Sequence, residues 1–310
     1  MKRAIVIAGP TASGKTEVSL QLAKLLPVEI ISADSRQIYK MMDIGTAKPS
    51  VVELNQARHH FIDILNPDQS YSAGKFAVDA KSISREIFQR GKIPLIVGGS
   101  GLYIKALCEG FSESPVISEN KLLAERQKLS EELSSRGIEA IYDELFQVDP
   151  VSSKKYSDKN PRRILRALEY YRASGLIFSE SFDSPLQKPD FETIYFGILM
   201  DRNTLYDRIN LRTENMWNSG LIAETQRLLD LGYSSENNSL NTVGYKECIE
   251  FIKSDIAETD AIEKIKKNTR HYAKRQLTWF NRQLTMNWLQ GTSSVIAKKI
   301  ANFAGLELIN

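Results

Sequence analysis

The sequence has 310 residues, 42% hydrophobic and 25% charged, which fits a globular protein of one large or two modest domains with an ample core and excludes a disordered chain. Forty-one basic against 38 acidic residues leave a net charge of +3, so bulk charge gives no argument for a nucleic-acid partner; that argument rests on where basic residues cluster. Cys108 and Cys248 lie far apart without CxxC spacing, which excludes a cysteine-built zinc site and fits a reducing, cytoplasmic setting. No apolar run approaches the roughly 18 residues of a membrane span.

The chain opens on "MKRAIVIAG", whose apolar run is too short for a signal segment and reads as a buried strand over 4–9. It leads into Gly9, Pro10, Thr11, Ala12, Ser13, Gly14, Lys15 and Thr16, which satisfy G-x-x-x-x-G-K-S/T between a predicted strand and a predicted helix. Small residues let backbone N–H groups close around phosphate oxygens at the positive end of a helix. Lys15 meets the terminal phosphate as a cation, and the Thr16 hydroxyl is placed for Mg²⁺. The motif predicts a diphosphate or triphosphate and leaves open what is attached to it.

Asp34 closes a second predicted strand, 28–34, on the carboxyl edge where α/β sheets bind ligands. With Ser35, Arg36 and Gln37 it makes a polar cluster. Its carboxylate is suited to binding Mg²⁺ or to accepting a proton from a nucleophile, against the plainer reading of a helix cap or turn. His59 and His60 have no third ligand in view and read as structural. A third strand, 93–99, ends at a turn holding Ser100, whose hydroxyl can bond a ligand.

From 113 to 190 the chain becomes helical, charged and free of strand-like runs, which predicts an inserted all-helical domain between core segments 1–112 and 191–310. Asn160 and Pro161 signal a helix start there, with Ile164 and Leu168 on one face and Arg162 and Arg166 on the other. Lys154, Lys155, Lys159 and Arg163 extend a patch suited to a phosphate backbone. A fourth strand, 193–201, is followed by Arg208 and Arg212 one turn apart, and an arginine there can reach back to a diphosphate. The last long helix, 262–283, is predicted to bury Ile262, Ile265, Thr269, Tyr272, Gln276 and Trp279 and to expose a second basic patch. Alternating strands and helices predict an α/β fold: a P-loop NTPase-like parallel sheet flanked by helices, carrying the helical insertion.

"GPTASGKT", "ISADSRQIYK", "MDIGTAKP", "HHFIDIL", "VGGSGLYIKAL", "NPRRILRALE", "NTVGYKE" and "TRHYAKRQLTWF" stand in the order found in the tRNA dimethylallyltransferase family, which the chain resembles over nearly its whole length. The resemblance implies transfer of a dimethylallyl group from dimethylallyl diphosphate to N6 of adenosine 37 in tRNAs reading codons that begin with U. It implies that the loop from Gly9 to Thr16 holds the diphosphate of this substrate instead of ATP, with Lys15 catalytic and Mg²⁺ at Thr16. Asp34 matches the family's general base and Arg212 its diphosphate arginine. The resemblance also assigns contacts with the tRNA anticodon stem-loop. These are Asp34, Ser35, Arg36, Gln37, Ser100 and Lys121; then Arg162, Arg163, Ile164, Leu165 and Arg166; and Asn241, Thr242, Val243, Gly244, Tyr245 and Lys246. Ser100 stands where Thr is usual, Arg36 where an apolar residue is common, and Lys121 where Arg is frequent. The family's eukaryotic zinc-finger tail is absent, which implies the bacterial type. A cytoplasmic monomer without membrane contact is expected.

Three other readings compete. A P-loop small-molecule kinase would also place an Asp after its second strand, but it calls for a nucleotide lid where this insertion carries a basic helix. An isopentenyltransferase acting on free adenine nucleotides has no use for basic surfaces sized for RNA. A scaffold that only binds RNA leaves Asp34 and Arg212 without work.

Overall fold

A computed structural model describes residues 2–111, 117–182 and 186–303. The chain divides into two compact units, Met1–Glu109 with Pro189–Asn310, and Gly110–Lys188. In the first, the chain runs through β1 (Arg3–Ala8), α1 (Lys15–Ala23), β2 (Val28–Ser32), α2 (Val51–Leu54), β3 (His59–His60), α3 (Ala73–Gln89), β4 (Ile93–Gly98) and α4 (Gly101–Glu109). The second holds α5 (Glu119–Val148), α6 (Pro150–Lys155), α7 (Pro161–Ser174) and a 3-10 turn at Ser179–Phe182. The first unit then resumes with β5 (Glu192–Ile198), α8 (Arg202–Asn218), α9 (Leu221–Asp230), α10 (Tyr245–Ile252), α11 (Glu258–Gln283), β6 (Asn287–Leu289) and α12 (Ser293–Phe303).

The six strands form one sheet in the order β3-β2-β4-β1-β5-β6, and every pairing is parallel. The four apolar runs read as strands are β1, β2, β4 and β5. They are rich in Val, Ile and Leu because parallel strands covered by helices bury most of both faces. Ala4 to Ala8 of β1 are all fully buried, and one face of the sheet packs on α1 and α12 through Val18, Leu22, Ile296 and Ile300. The edge strands β3 and β6 escape a sequence reading. With two and three residues they are too short to show a period, and His59 and His60 join the sheet beside Ile30 and Ile31.

In the helical unit, α7 starts at Asn160 and Pro161 and stops at Gly175, which adopts the left-handed conformation (φ 74°) that favours glycine. Its apolar face, with α5, encloses a separate small core of Leu129, Ile141, Leu145, Ile164 and Leu168. α11 buries Ala261, Ile265, Ala273, Gln276 and Phe280. The stripe expected from the sequence is therefore corrected: Tyr272 is 37% exposed and Phe280 is buried in its place. Small alanines at 261 and 273 let the helix lie close, which an apolar pattern built on large residues overlooks. Among the described residues no helix is long and apolar enough to cross a membrane.

Candidate active site

The phosphate loop leaves β1 and enters α1 at the carboxyl edge of the sheet. Gly14 (φ 90°) and Ala12 (φ 63°) are left-handed, which turns successive N–H groups inward to make an anion-binding nest. Lys15 Nζ donates to the carbonyls of Gly9 (3.0 Å) and Pro10 (2.6 Å) and so braces the loop it belongs to. Desolvation pulls the Lys15 amine down to about 8, with Asp34 raising it and Arg212 lowering it further. Ser13 is buried and its Oγ has no protein partner. The hydroxyl lies against Gly9, 3.3 Å from where a Cβ there would stand, within the phosphate loop itself.

A cavity of about 360 Å³ opens from this loop. Its lining includes Thr11, Gly14, Lys15, Thr16, Asp34, Arg208 and Arg212, together with the apolar Ile209, Met216, Leu221, Val243 and Ile265. Asp34 stands two residues past β2. Its Oδ1 accepts from the backbone N–H of Arg36 (2.8 Å) and Gln37 (3.4 Å), while Oδ2 accepts nothing from the described residues. The charge balance is lopsided: Lys15, Arg36, Arg208 and Arg212 face Asp34 alone among the ionised lining groups. Burial lowers the Arg212 pKa, opposed by Asp34, and Arg212 has no hydrogen-bonded or ion-paired partner among the described residues. Uncompensated buried cations are costly unless an anion joins them.

The cavity suits Mg²⁺ as well as a diphosphate. The Thr16 hydroxyl makes no protein hydrogen bond among the described residues and lines the cavity with Asp34. No cluster of three His, Cys, Asp or Glu is present among those residues. Mg²⁺ is commonly held by one or two protein oxygens together with substrate phosphates, so this sparse set fits it.

A second cavity, of about 470 Å³, shares Gly99, Tyr272 and Gln276 with the first. Its lining is aromatic, with Tyr39, Tyr71, Tyr103, Trp279 and Phe280 beside Ser35, Ser100 and Arg275. Ser100 Oγ accepts from the Ser35 N–H at 2.9 Å, which ties the β2 and β4 loops together at this wall. Although Tyr272 is 37% exposed, desolvation of its hydroxyl and the charge of Asp34 push it up to about 12, so it stays a neutral donor.

Two residues unnoticed as site residues in the sequence hold this architecture. Gln276, buried on α11, accepts from the Thr11 N–H (2.8 Å) and donates to the Gly99 carbonyl (2.9 Å), joining the phosphate loop to the β4 loop. A Cβ on Gly99 would fall 2.3 Å from Gln276 Nε2, and one on Gly101 would fall 2.2 Å from the Trp279 ring. Gly99 and Gly101 of "GGSG" are therefore required by α11, while Gly98 is held bare by the Ala33 backbone, 2.1 Å from where its Cβ would stand. Glu224 is the other. Its carboxylate accepts from the backbone N–H of Asp43 (2.9 Å), Ile44 (2.9 Å) and Gly45 (3.0 Å) and from the Tyr245 hydroxyl (2.6 Å). It thereby fixes the loop whose Gly45, Thr46 and Ala47 line the first cavity, a loop that Gln37 also holds through its amide to the Ala47 carbonyl at 3.1 Å. No motif announces either residue, because each acts on chain distant in sequence.

Thr242, Val243 and Gly244 line the first cavity, and Lys246 is exposed beyond them. Tyr245, expected at the RNA, is corrected to a core residue: it is fully buried, with its ring against Gly45. Ile164 is corrected in the same way, since it is 0% exposed inside the core of the helical unit. Arg162 and Arg163 are exposed, Leu165 is half-buried, and Lys121 is exposed near the start of α5. The basic run of α7 is more nearly neutralised than its sequence implies. Arg163 faces Asp158 (3.4 Å), Arg166 faces Glu169 (3.0 Å) and Lys159 faces Glu139.

The family model described as IPP transferase matches residues 37–283 of this chain. The tRNA dimethylallyltransferase of Carboxydothermus hydrogenoformans is 41% identical, with 98% of each chain covered. That of Staphylococcus aureus is 42% identical over 92% of this chain and 91% of its own. Among solved structures, the tRNA delta(2)-isopentenylpyrophosphate transferase of Staphylococcus epidermidis is 39% identical with a TM-score of 0.71, covering 98% of this chain and 99% of its own. A eukaryotic dimethylallyltransferase described as acting on tRNA gives a TM-score of 0.80 at 26% identity, covering 100% of this chain and 81% of its own. This chain belongs to the IPP transferase family.

Proposed function

We propose that this protein transfers the dimethylallyl group of dimethylallyl diphosphate to N6 of adenosine 37 in the anticodon stem-loop of cytoplasmic tRNAs that read codons beginning with U. One observation carries the reading. A phosphate loop with unpartnered cations and a carboxylate shares a wall with an aromatic cavity, so a diphosphate and a base can meet there.

The phosphate loop, Lys15 and Arg212 seat the diphosphate. The C1–O bond of the allylic substrate breaks, its electron pair leaves on the diphosphate oxygen, and these donors stabilise the growing negative charge. The Thr16 hydroxyl would hold Mg²⁺, which when bound would supply further neutralisation of the leaving group. The adenine leaves its stack, enters the aromatic cavity, and its exocyclic nitrogen forms the new bond to C1. Asp34 takes the N6 proton on Oδ2, because its Oδ1 is occupied by the Arg36 and Gln37 amides. The apolar lining keeps water from the allylic carbon.

The test is to incubate the protein with unmodified tRNA, dimethylallyl diphosphate and Mg²⁺, digest the RNA and weigh the nucleosides. N6-dimethylallyladenosine is the expected product. Prenylation of free AMP alone, or consumption of ATP without RNA modification, refutes the reading.

A further inference from the structure

Arg208 has no task in the mechanism above, yet its position is specific. Some arginines of the same unit face carboxylates, as Arg3 faces Glu192, Arg85 faces Asp190 and Arg90 faces Glu29, and others such as Arg227 and Arg282 stand at the surface away from any cavity described above. Arg208 has no ion-paired or hydrogen-bonded partner among the described residues, although it lines the phosphate cavity with Arg212. Its Nη1 rests 3.4 Å from where a Cβ on Gly14 would stand, so the guanidinium lies over the phosphate loop at the mouth of α1.

The two arginines sit four residues apart on α8, on one face and about 6 Å apart along the axis. They occupy different surroundings. Arg212 is enclosed and feels the charge of Asp34, whereas Arg208 is exposed and lies at Gly14. A diphosphate laid along this face presents one phosphate to each guanidinium. The phosphate carrying the allyl group must lie nearest the reacting carbon, hence on the Asp34 side.

Resting on the function above, we propose that Arg208 binds the terminal phosphate of the allylic diphosphate and Arg212 the phosphate next to the allylic carbon. The division has a kinetic meaning. Charge develops first on the oxygen that leaves C1, so Arg212 acts on the transition state, while Arg208 holds ground state and transition state alike.

Dimethylallyl diphosphate and dimethylallyl monophosphate, which lacks the terminal phosphate, are the probes, with Kd measured by titration calorimetry. Arg208→Ala is expected to weaken the diphosphate about tenfold and the monophosphate less than twofold, and Arg212→Ala to weaken both. Arg208→Lys should recover part of the loss, because a point charge replaces a fork. In single-turnover transfer at saturating substrate, Arg208→Ala should lose less rate than Arg212→Ala. Equal weakening of both ligands, no weakening, or a loss of tRNA affinity in place of diphosphate affinity overturns the assignment. A protein that shows the expected binding pattern yet prenylates no tRNA upholds the assignment and refutes only the function.

Discussion

The two ends of the parallel sheet carry similar charges in opposite arrangements. Near the amino end of β2, the Glu29 side chain is 1% exposed and is met by Arg90 (2.8 Å), His60 (2.9 Å) and Lys92 (3.2 Å), with Arg58 at 3.8 Å. Burial alone would raise its pKa, but the hydrogen bonds from Arg90, His60 and Lys92 prevail and hold it at about 2. At the carboxyl end, Lys15, Arg208 and Arg212 line one cavity whose lining holds Asp34 as its one carboxylate, and the two arginines have no protein partner among the described residues. Cations satisfied by the protein's own carboxylates serve the fold. A cation desolvated in a cavity, as Lys15 and Arg212 are, weighs on the fold, and a ligand anion relieves that cost; the exposed Arg208 bears none of it.

Substitutions at the two ends should therefore separate activity from stability. The largest effect is expected at Asp34. Asp34→Asn keeps an oxygen for the Arg36 and Gln37 amides but takes no proton, so single-turnover prenyl transfer should fall by about 10³ with diphosphate Kd nearly unchanged. Comparable losses in both would remove the base assignment. At the other end, Glu29→Gln should cost about 3 kcal/mol in denaturant unfolding, with the transfer rate of the folded protein retained. Wild-type stability from Glu29 is present above the ordinary value of 4.5 and is lost as pH falls from there towards 2. A Glu29→Gln protein with wild-type acid sensitivity would break the contrast.

Gln276→Met leaves the Thr11 N–H and the Gly99 carbonyl without their partner. The cost is about 2 kcal/mol, expressed as a roughly thirtyfold rise in KM for dimethylallyl diphosphate. An unchanged KM would mean that the phosphate loop holds its shape without α11. The smallest effect concerns pH. Lys15 loses its proton above about 8, so inorganic diphosphate affinity should fall by up to about tenfold per pH unit beyond that point. Lys15→Arg should flatten this slope.

Legibility in the sequence followed physical locality. The phosphate loop was readable because its eight residues are contiguous and each acts on the same small volume. The strands β1, β2, β4 and β5 are readable because burial makes each run mostly apolar, Glu29 of β2 being a buried exception, whereas β3 and β6 are too short to carry a pattern. Arg208 and Arg212 stood out by spacing, but only three-dimensional placement shows that neither is paired. Gln276 and Glu224 act across 265 and about 180 residues of chain, and nothing local distinguishes them from other polar helix residues. Family likeness carried Ile164 and Tyr245 along with their neighbours. Helix periodicity points such members of a motif inward, where they serve the core.

The glycines at 99 and 101 have a consequence for how the protein is made. They form a keyway cut early in the chain for Gln276 and Trp279, which arrive much later. A ribosome has long since released the phosphate loop when it begins α11, and until that helix docks, Thr11 and Gly99 lack the partner that links them. Assembly of the grip thus waits on late synthesis, so a nascent chain carries the motif well before it carries the site.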